Sequence, residues 1–191
     1  MRQEILYFYI TLLRHGETTE NKNKIIQGHL DTDLSDNGLE QAKSMRIYIT
    51  QIKPDVVISS DLKRARFTAY EIVDPSVVEV ESRLRERNFG SLTGRSWSEV
   101  QQFAESNFQT GQDCNGWRSV GGECTHELAS RTQDFLLDLC SRSRDAPPME
   151  EIISKYFSEF LKKNNADRHS SSSIYAGMFS LLVMEVGFDN S

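Results

Sequence analysis

The chain lacks any apolar run long enough to cross a bilayer. Its opening stretch, Ile5–Leu13, holds nine residues, where a spanning helix needs about 20. Arg2 ahead of that run imitates a targeting leader. Glu4 interrupts the basic region, however, no small-residue cleavage site follows, and Arg14-His15 ends the run abruptly, so the stretch reads as a strand. Cysteine is scarce as well: Cys114, Cys124 and Cys140 make an odd count of three without Cys-x-x-Cys spacing. That argues against a disulfide framework and a zinc site and suits a reducing cytosol. Positive charge is in deficit, with 22 Lys and Arg against 28 Asp and Glu for a net charge of −6, which excludes a general nucleic-acid binder. Any anion site must therefore be a local cluster of basic groups. Internal repeats are missing, and the one low-complexity patch is Ser170–Ser173. No stretch has the composition of a linker, so residues 1–191 are expected to form one domain with a substantial core.

What is present is an alternation of strand and helix signals. Ile5–Leu13 is apolar throughout, as expected of a strand covered on both faces. Residues 35–52 read as a helix: Ser35 is an N-cap, Asp36 favours the positive end, and Leu39, Ala42, Met45, Ile49 and Ile52 recur on one face. Lys53-Pro54 ends it. Asp55–Ser60 is a second short β-branched run and Asp61–Val73 a second helix, so the order indicates a βαβ unit and a parallel sheet. Val77–Val80 reads as a third strand and Trp97–Phe108 as a helix. Gly121-Gly122 opens a helix running to about Cys140, with Leu128, Phe135, Leu136 and Leu139 on its buried side. Met149–Leu161 is amphipathic and Phe179–Phe188 reads as a last strand.

In an open parallel sheet, ligands sit beyond the carboxyl ends of the strands. The first strand delivers Arg14-His15-Gly16 there, and the second delivers Ser59-Ser60-Asp61 with Arg64 one turn on. The planar fork of arginine matches phosphate oxygens, and a neutral histidine can attack phosphorus through a ring nitrogen. Gly16 lets the backbone come close to the bound group. The plainer alternative pairs Arg14 with an acid and leaves His15 as a satisfied core residue.

Five stretches decide between these: LLRHGETTEN, IIQGHLDTDLSDNGLEQA, ISSDLKRARFTA, LRERNFGSLTG and VGGECTHEL, in that order over roughly residues 5–140. With them the chain resembles the histidine phosphatase, or phosphoglycerate mutase-like, superfamily. Within it the chain is most similar to fructose-2,6-bisphosphatases, because the short run from Gly94 to Gly121 leaves little room for the extra segments of true mutases. The resemblance implies an α/β three-layer sandwich with a mostly parallel central sheet flanked by helices. It implies His15 as the nucleophile that becomes phosphohistidine, and Arg14 and Arg64 as holders of the transferred phosphoryl. Asn21 is then a further contact, Gln27 and Gly28 touch the substrate, and Glu86 donates a proton to the leaving alcohol. The activity implied is metal-independent hydrolysis of a small sugar bisphosphate, restraining glycolysis, with no cofactor. The partner is then a small phosphorylated metabolite, not nucleic acid or membrane, and the expected location is cytoplasmic, with nuclear or mitochondrial pools compatible.

The chemistry of these residue types supports the roles. A sugar alkoxide leaves poorly, so a positioned acid helps it depart. Arg85 and Arg87 flank Glu86 and would depress its pKa if close in space, so a useful acid needs burial or a neighbouring anion. The alternative for Glu86 is a surface ion pair. His29 reads as a solvated loop residue, His126 as exposed, and Cys124 as a packed, inert thiol.

One family element is missing. A second histidine, on an apolar strand ending Ser-His-Gly, should follow the helix that ends near Cys140. Residues 141–151 read SRSRDAPPMEE there, with no apolar run, no glycine and no histidine, and two prolines argue against a central strand. The interval is expected to be a surface loop, and the chain reads as a family member with an internal segment removed. His169, in a polar stretch, is not expected to replace the lost residue. Two readings follow: a phosphatase, or a catalytically weak or inactive relative that binds phosphorylated ligands or protein partners.

Overall fold

The first apolar run becomes strand β1, Leu6–Leu13, in a computed structural model that describes residues 6–107, 114–142 and 181–188. A short helix α1, Thr19–Lys22, follows in the loop beyond it. The periodic segment after that forms α2, Asp36–Ile52. Its N-cap Ser35 accepts the Gly38 N–H at 3.1 Å, a contact worth about 1 kcal/mol. Strand β2, Val56–Ser59, helix α3, Lys63–Ile72, and strand β3, Val78–Val80, complete the βαβ unit, with β2 and β3 parallel.

Successive residues of β2 separate the two sides of the sheet. Val57 packs with Ile49 of α2 and with Ala69 and Ile72 of α3. Ile58 packs with Leu84 and with Phe135 and Leu139 of α6, Thr125–Ser141. Helices thus cover both faces at β2, which is the three-layer α/β arrangement expected. Strand β1 is not covered on both faces as its apolar run predicts, since its Ile10 and Leu12, on one face of the strand, are 44% and 47% exposed. A third cluster, Phe89, Leu92, Val100 and Trp117, joins helices α4, Trp97–Asn107, and α5, Cys114–Ser119, to the loops beside the sheet.

The sheet order differs from the expectation that β1 and β2 pair directly. Strand β4, Leu181–Phe188, lies between them, giving the order β1-β4-β2-β3. It is antiparallel to both, with Leu13 and Ser59 each opposite Leu181. Strands β1, β2 and β3 therefore still point the same way, although only the β2–β3 ladder is parallel. Length explains the choice of partner. All eight residues of β1 pair with β4, whereas β2 has only four residues and would leave half of the β1 backbone groups without a ladder.

The cysteines correct a second expectation. Cys114 and Cys124 are disulfide-bonded, with Cα atoms 4.9 Å apart, so Cys124 is buried but not a thiol. The turn between the two helices brings them together: the Gly122 N–H donates to the Trp117 carbonyl at 2.8 Å, folding the start of α6 back onto α5. Cys140 is free and half-buried, and burial pushes its thiol up. The expected helix over 149–161, the loop beyond Arg142, and His169 lie outside the described residues. No helix among the described residues is long and apolar enough to cross a membrane.

Two glycines set how closely α2 approaches the loop after β1. A Cβ on Gly38 would stand 2.0 Å from the Glu17 carbonyl oxygen, and one on Gly16 would stand 2.3 Å from the Gly38 carbonyl oxygen. Ser35 fastens the same contact, its N–H donating to the Glu17 carbonyl at 2.8 Å. In an ordinary helix Gly→Ala stabilises by up to about 1 kcal/mol. At Gly38 the clash dominates, and Gly38→Ala is expected to destabilise by about 1–3 kcal/mol. Urea denaturation with an unchanged m-value measures this; a stabilised variant would show that α2 does not rest on the loop.

Candidate active site

The carboxyl ends of β1 and β2 lie at one edge of the sheet, and β1 delivers His15 there, 8% exposed. The ring donates its Nδ1–H to the Gly16 carbonyl at 2.7 Å. That bond selects the tautomer whose Nε2 carries a lone pair. Burial holds the imidazole well below its usual range, at about 4, opposed by the Gly16 contact and reinforced by the Arg64 and Arg14 charges. His15 is therefore neutral at pH 7. Thr68 of α3 anchors the backbone beside it, accepting the Gly16 N–H at 2.9 Å and donating to the Arg64 carbonyl at 2.7 Å.

The following loop supplies amide donors. The Asn21 Oδ1 accepts the Thr18 N–H at 3.1 Å, a reciprocal cap that starts α1. Gln27, nearly fully buried, has its Oε1 occupied by the hydroxyls of Thr18 and Thr32. Both side chains line the cleft, and these contacts leave their NH₂ groups for it. Gly28 has a positive φ of 49° and packs against the Phe89 ring, so a side chain there would be strained as well as crowded.

Glu86 faces this group across the cleft. Its carboxylate takes the Arg64 Nη2–H at 2.9 Å, and the same guanidinium donates to the Gly28 and Leu30 carbonyls at 2.8 Å each. Burial pushes the Glu86 carboxyl up, against the pull of Arg64 and Arg14. Arg85 turns away to a two-point pair with Asp61 at 2.7 and 2.6 Å. Arg87 is buried against Trp117, 5.1 Å from its ring centre, and donates to Thr125. Burial thus keeps Glu86 above the range of a surface carboxyl even though Arg87, beside it in the chain, pulls the other way.

His29 is a correction. It is half-buried, not solvated, and its Nε2–H donates to the Glu86 carbonyl at 2.9 Å. Arg131 of α6 donates to the same carbonyl at 3.1 Å while its fork holds Glu123. Neither residue stood out in the sequence, since both act on a backbone atom. His126 is exposed, as expected.

A cleft of about 310 Å³ is lined by Arg14, His15, Asn21, Gln27 and Glu86 together with Lys24, Ile25, Ile26, Phe89 and Trp97. Five of the seven expected site residues therefore share it. Arg64 and Gly28 are not among its lining; Arg64 reaches it through Glu86, and Gly28 through its carbonyl on Arg64. Lys24 and Trp97 were missed. The sequence signal was available, since Lys24 directly precedes the stretch IIQGHL and Trp97 lies three residues after LRERNFGSLTG.

An α/β fold with an uncharged histidine, cations and amide donors at the carboxyl ends of its strands belongs to the class of enzymes that handle phosphate esters. Residues 10–147 match the model of the histidine phosphatase superfamily (branch 1), and the chain belongs to that superfamily. The bovine fructose-2,6-bisphosphatase TIGAR is 35% identical over 94% of this chain and 73% of its own length. The chain spans only 50% of the Xenopus tropicalis protein of the same name. Glucosyl-3-phosphoglycerate phosphatase of Mycolicibacterium vanbaalenii is 36% identical over 71% of this chain and 61% of its own length. The native structure of a mycobacterial glucosyl-3-phosphoglycerate phosphatase superposes with a TM-score of 0.58 at 27% identity, covering 76% of this chain and 70% of that one. The fold is accordingly phosphoglycerate mutase-like.

The buried imidazole gives a pH test. Unfolded, His15 binds its proton near 6.5; folded, only near 4. Between these values the unfolded state holds more protons, so acid favours unfolding. The contribution is full above about pH 6.5 and is lost as pH falls towards 4, on the order of 3 kcal/mol in all. Denaturation midpoints of the wild type should fall through this window more steeply than those of His15→Ala. The His15 ring resonance should stay in its neutral position down to about pH 5; titration near 6.5 would contradict the buried, tautomer-locked ring.

Proposed function

We propose that this chain hydrolyses a phosphate ester of a small sugar bisphosphate, of the fructose-2,6-bisphosphate kind, through a phosphoryl group on His15. The observation that carries the reading is the His15 ring, neutral and committed through Nδ1–H to Gly16, so that Nε2 is the nucleophilic atom. Its lone pair forms the N–P bond as the ester P–O bond breaks, and the departing oxygen takes the proton of Glu86. Water then attacks phosphorus, the N–P bond breaks back to the imidazole, and the Glu86 carboxylate takes the water proton. Arg14, with the amides of Asn21 and Gln27, holds the phosphoryl oxygens. Arg64 holds Glu86 and adds positive field. The names of the bovine and mycobacterial relatives support a sugar-phosphate substrate. Removing such a bisphosphate would restrain glycolysis, and the compartment proposed is the cytoplasm, both by resemblance.

A second reading, ligand binding without turnover, is favoured by one observation. Among the described residues His15 is the sole histidine lining the cleft, since His29 is spent on the Glu86 backbone. The bovine match runs over 201 positions yet covers 94% of this chain, so about twenty bovine positions have no counterpart here. Losing one donor to a transition-state oxygen lowers rates by about 10²–10³.

Phosphate release from fructose-2,6-bisphosphate separates the readings. Wild type should turn over with and without EDTA and yield an acid-labile phosphoprotein. His15→Ala should lose both, and Glu86→Gln should slow by about 10²–10⁴. Full activity of His15→Ala, or total loss in EDTA, would rule out the mechanism. Ligand binding by an inert wild type would establish the second reading.

A further inference from the structure

Two cations line the cleft, Arg14 and Lys24. Arg64, Arg83, Arg85, Arg118, Arg131 and Arg142 each sit in an ion pair. Arg14 and Lys24, which both line the cleft, have no ion-pair partner among the described residues. Arg14 stands next to His15 in the chain, at the reacting end. Lys24 follows Asn21 by three residues in the chain and lines the cleft with Ile25, Ile26 and Trp97.

The backbone fixes Lys24 firmly. Helix α1 ends with the Ile25 N–H on the Glu20 carbonyl at 2.8 Å and the Lys24 N–H on the Asn21 carbonyl at 3.1 Å. This is the paired closure that places its next-to-last residue in the left-handed region, where glycine is usual. Lys24 adopts φ of 56° there, so the chain carries a side chain at a position where having none would be easier. The far wall then zips shut: the Trp97 N–H donates to the Lys24 carbonyl, and the Ile26 N–H to the Arg95 carbonyl, both at 2.9 Å. These backbone contacts hold Lys24, Ile26 and Trp97 beside one another in the wall of the cleft that also holds His15.

Resting on the phosphatase reading above, we propose that Lys24 determines specificity by binding a second anionic group of the substrate. Preferred substrates are then small sugar or sugar-acid esters that carry a phosphate or a carboxylate besides the scissile phosphate. Trp97 and Ile26 border the carbon skeleton between the two anions. A sugar monophosphate without a second anion fills the His15 end alone and gains nothing from Lys24.

Binding, not turnover, is the measurement, so that it holds for an active or an inert chain. Calorimetric dissociation constants are taken for fructose-2,6-bisphosphate, 3-phosphoglycerate and fructose-6-phosphate with the unmodified chain, Lys24→Met and Lys24→Arg. In Lys24→Met the bisphosphate should bind roughly tenfold more weakly, the size of one lost hydrogen bond to a charged group. The loss should shrink as salt is added. Lys24→Arg should keep most of the affinity, and fructose-6-phosphate should bind all three proteins alike, which also reports that the variants are folded. A larger loss for 3-phosphoglycerate than for the bisphosphate identifies a carboxylate as the second anion; the reverse identifies a phosphate. An equal loss for all three ligands, or none for any, overturns the assignment while leaving the phosphatase reading intact. Failure of every ligand to bind the unmodified chain overturns both.

Discussion

A guanidinium, 1% exposed, holds the working end of this molecule together. Arg64 rises from α3 and gives its hydrogens to the Gly28 and Leu30 carbonyls and to the Glu86 carboxylate. A charge taken out of water is tolerated only when its donors find acceptors, so the two segments supplying those three acceptors have to converge on it. The loop that carries Gln27 and the turn that carries Glu86 are thereby placed relative to α3. The same helix fastens His15 from behind, because the carbonyl of Arg64 and the N–H of Gly16 share the Thr68 hydroxyl. The nucleophilic ring and the acid across the cleft are both referred to one buried cation.

Much of this was legible in the chain. The limits of β1, α2, β2, α3 and β3 follow to within about two residues from apolar period, the Ser35 cap and the Lys53-Pro54 stop, because those signals are local, whereas the short helix α1 carries no such signal. The grouping of His15 with Asn21, Gln27 and Glu86 followed from matched stretches that each end a strand or fill a loop. What was not legible depends on partners far away in sequence. The strand that separates β1 from β2 comes from residues 181–188, and nothing in either strand names its neighbour. The Cys114–Cys124 bond depends on how a turn folds α6 onto α5, which an odd cysteine count conceals. His29 was misjudged because its contact is a carbonyl, and a backbone acceptor leaves no mark on residue identity.

The loop 90–97 gives the cleft its second side. Gly90 adopts φ of 56° where a Cβ would stand 1.9 Å from the Val120 carbonyl oxygen, so this turn presses directly on the α5–α6 connection. Phe89 meets Trp117 edge to face at 5.6 Å below it. The satellite core of Phe89, Val100, Trp117 and the cystine therefore supports the flank bearing Lys24 and Trp97, while the main sheet supports His15. The wall of the cleft thus rests on two hydrophobic clusters, one packed against Leu13 just before His15 and the other containing Phe89 and packed against Ile26.

The position of β4 has a consequence in time. Strands β2 and β3 meet across one helix and can pair as soon as α3 forms, whereas Leu6 of β1 pairs with Phe188, nearly the full chain away. Contacts of such separation form late, because loop closure has to be met before pairing stabilises anything. Until β4 arrives, β1 presents both sides of its backbone, and as the end strand of the described sheet it presents one side even afterwards, an open edge of the kind that recruits other chains. The yield of folded protein then turns on a race, within each molecule, between capture of β1 by its own distant partner and capture by the same strand of a neighbour.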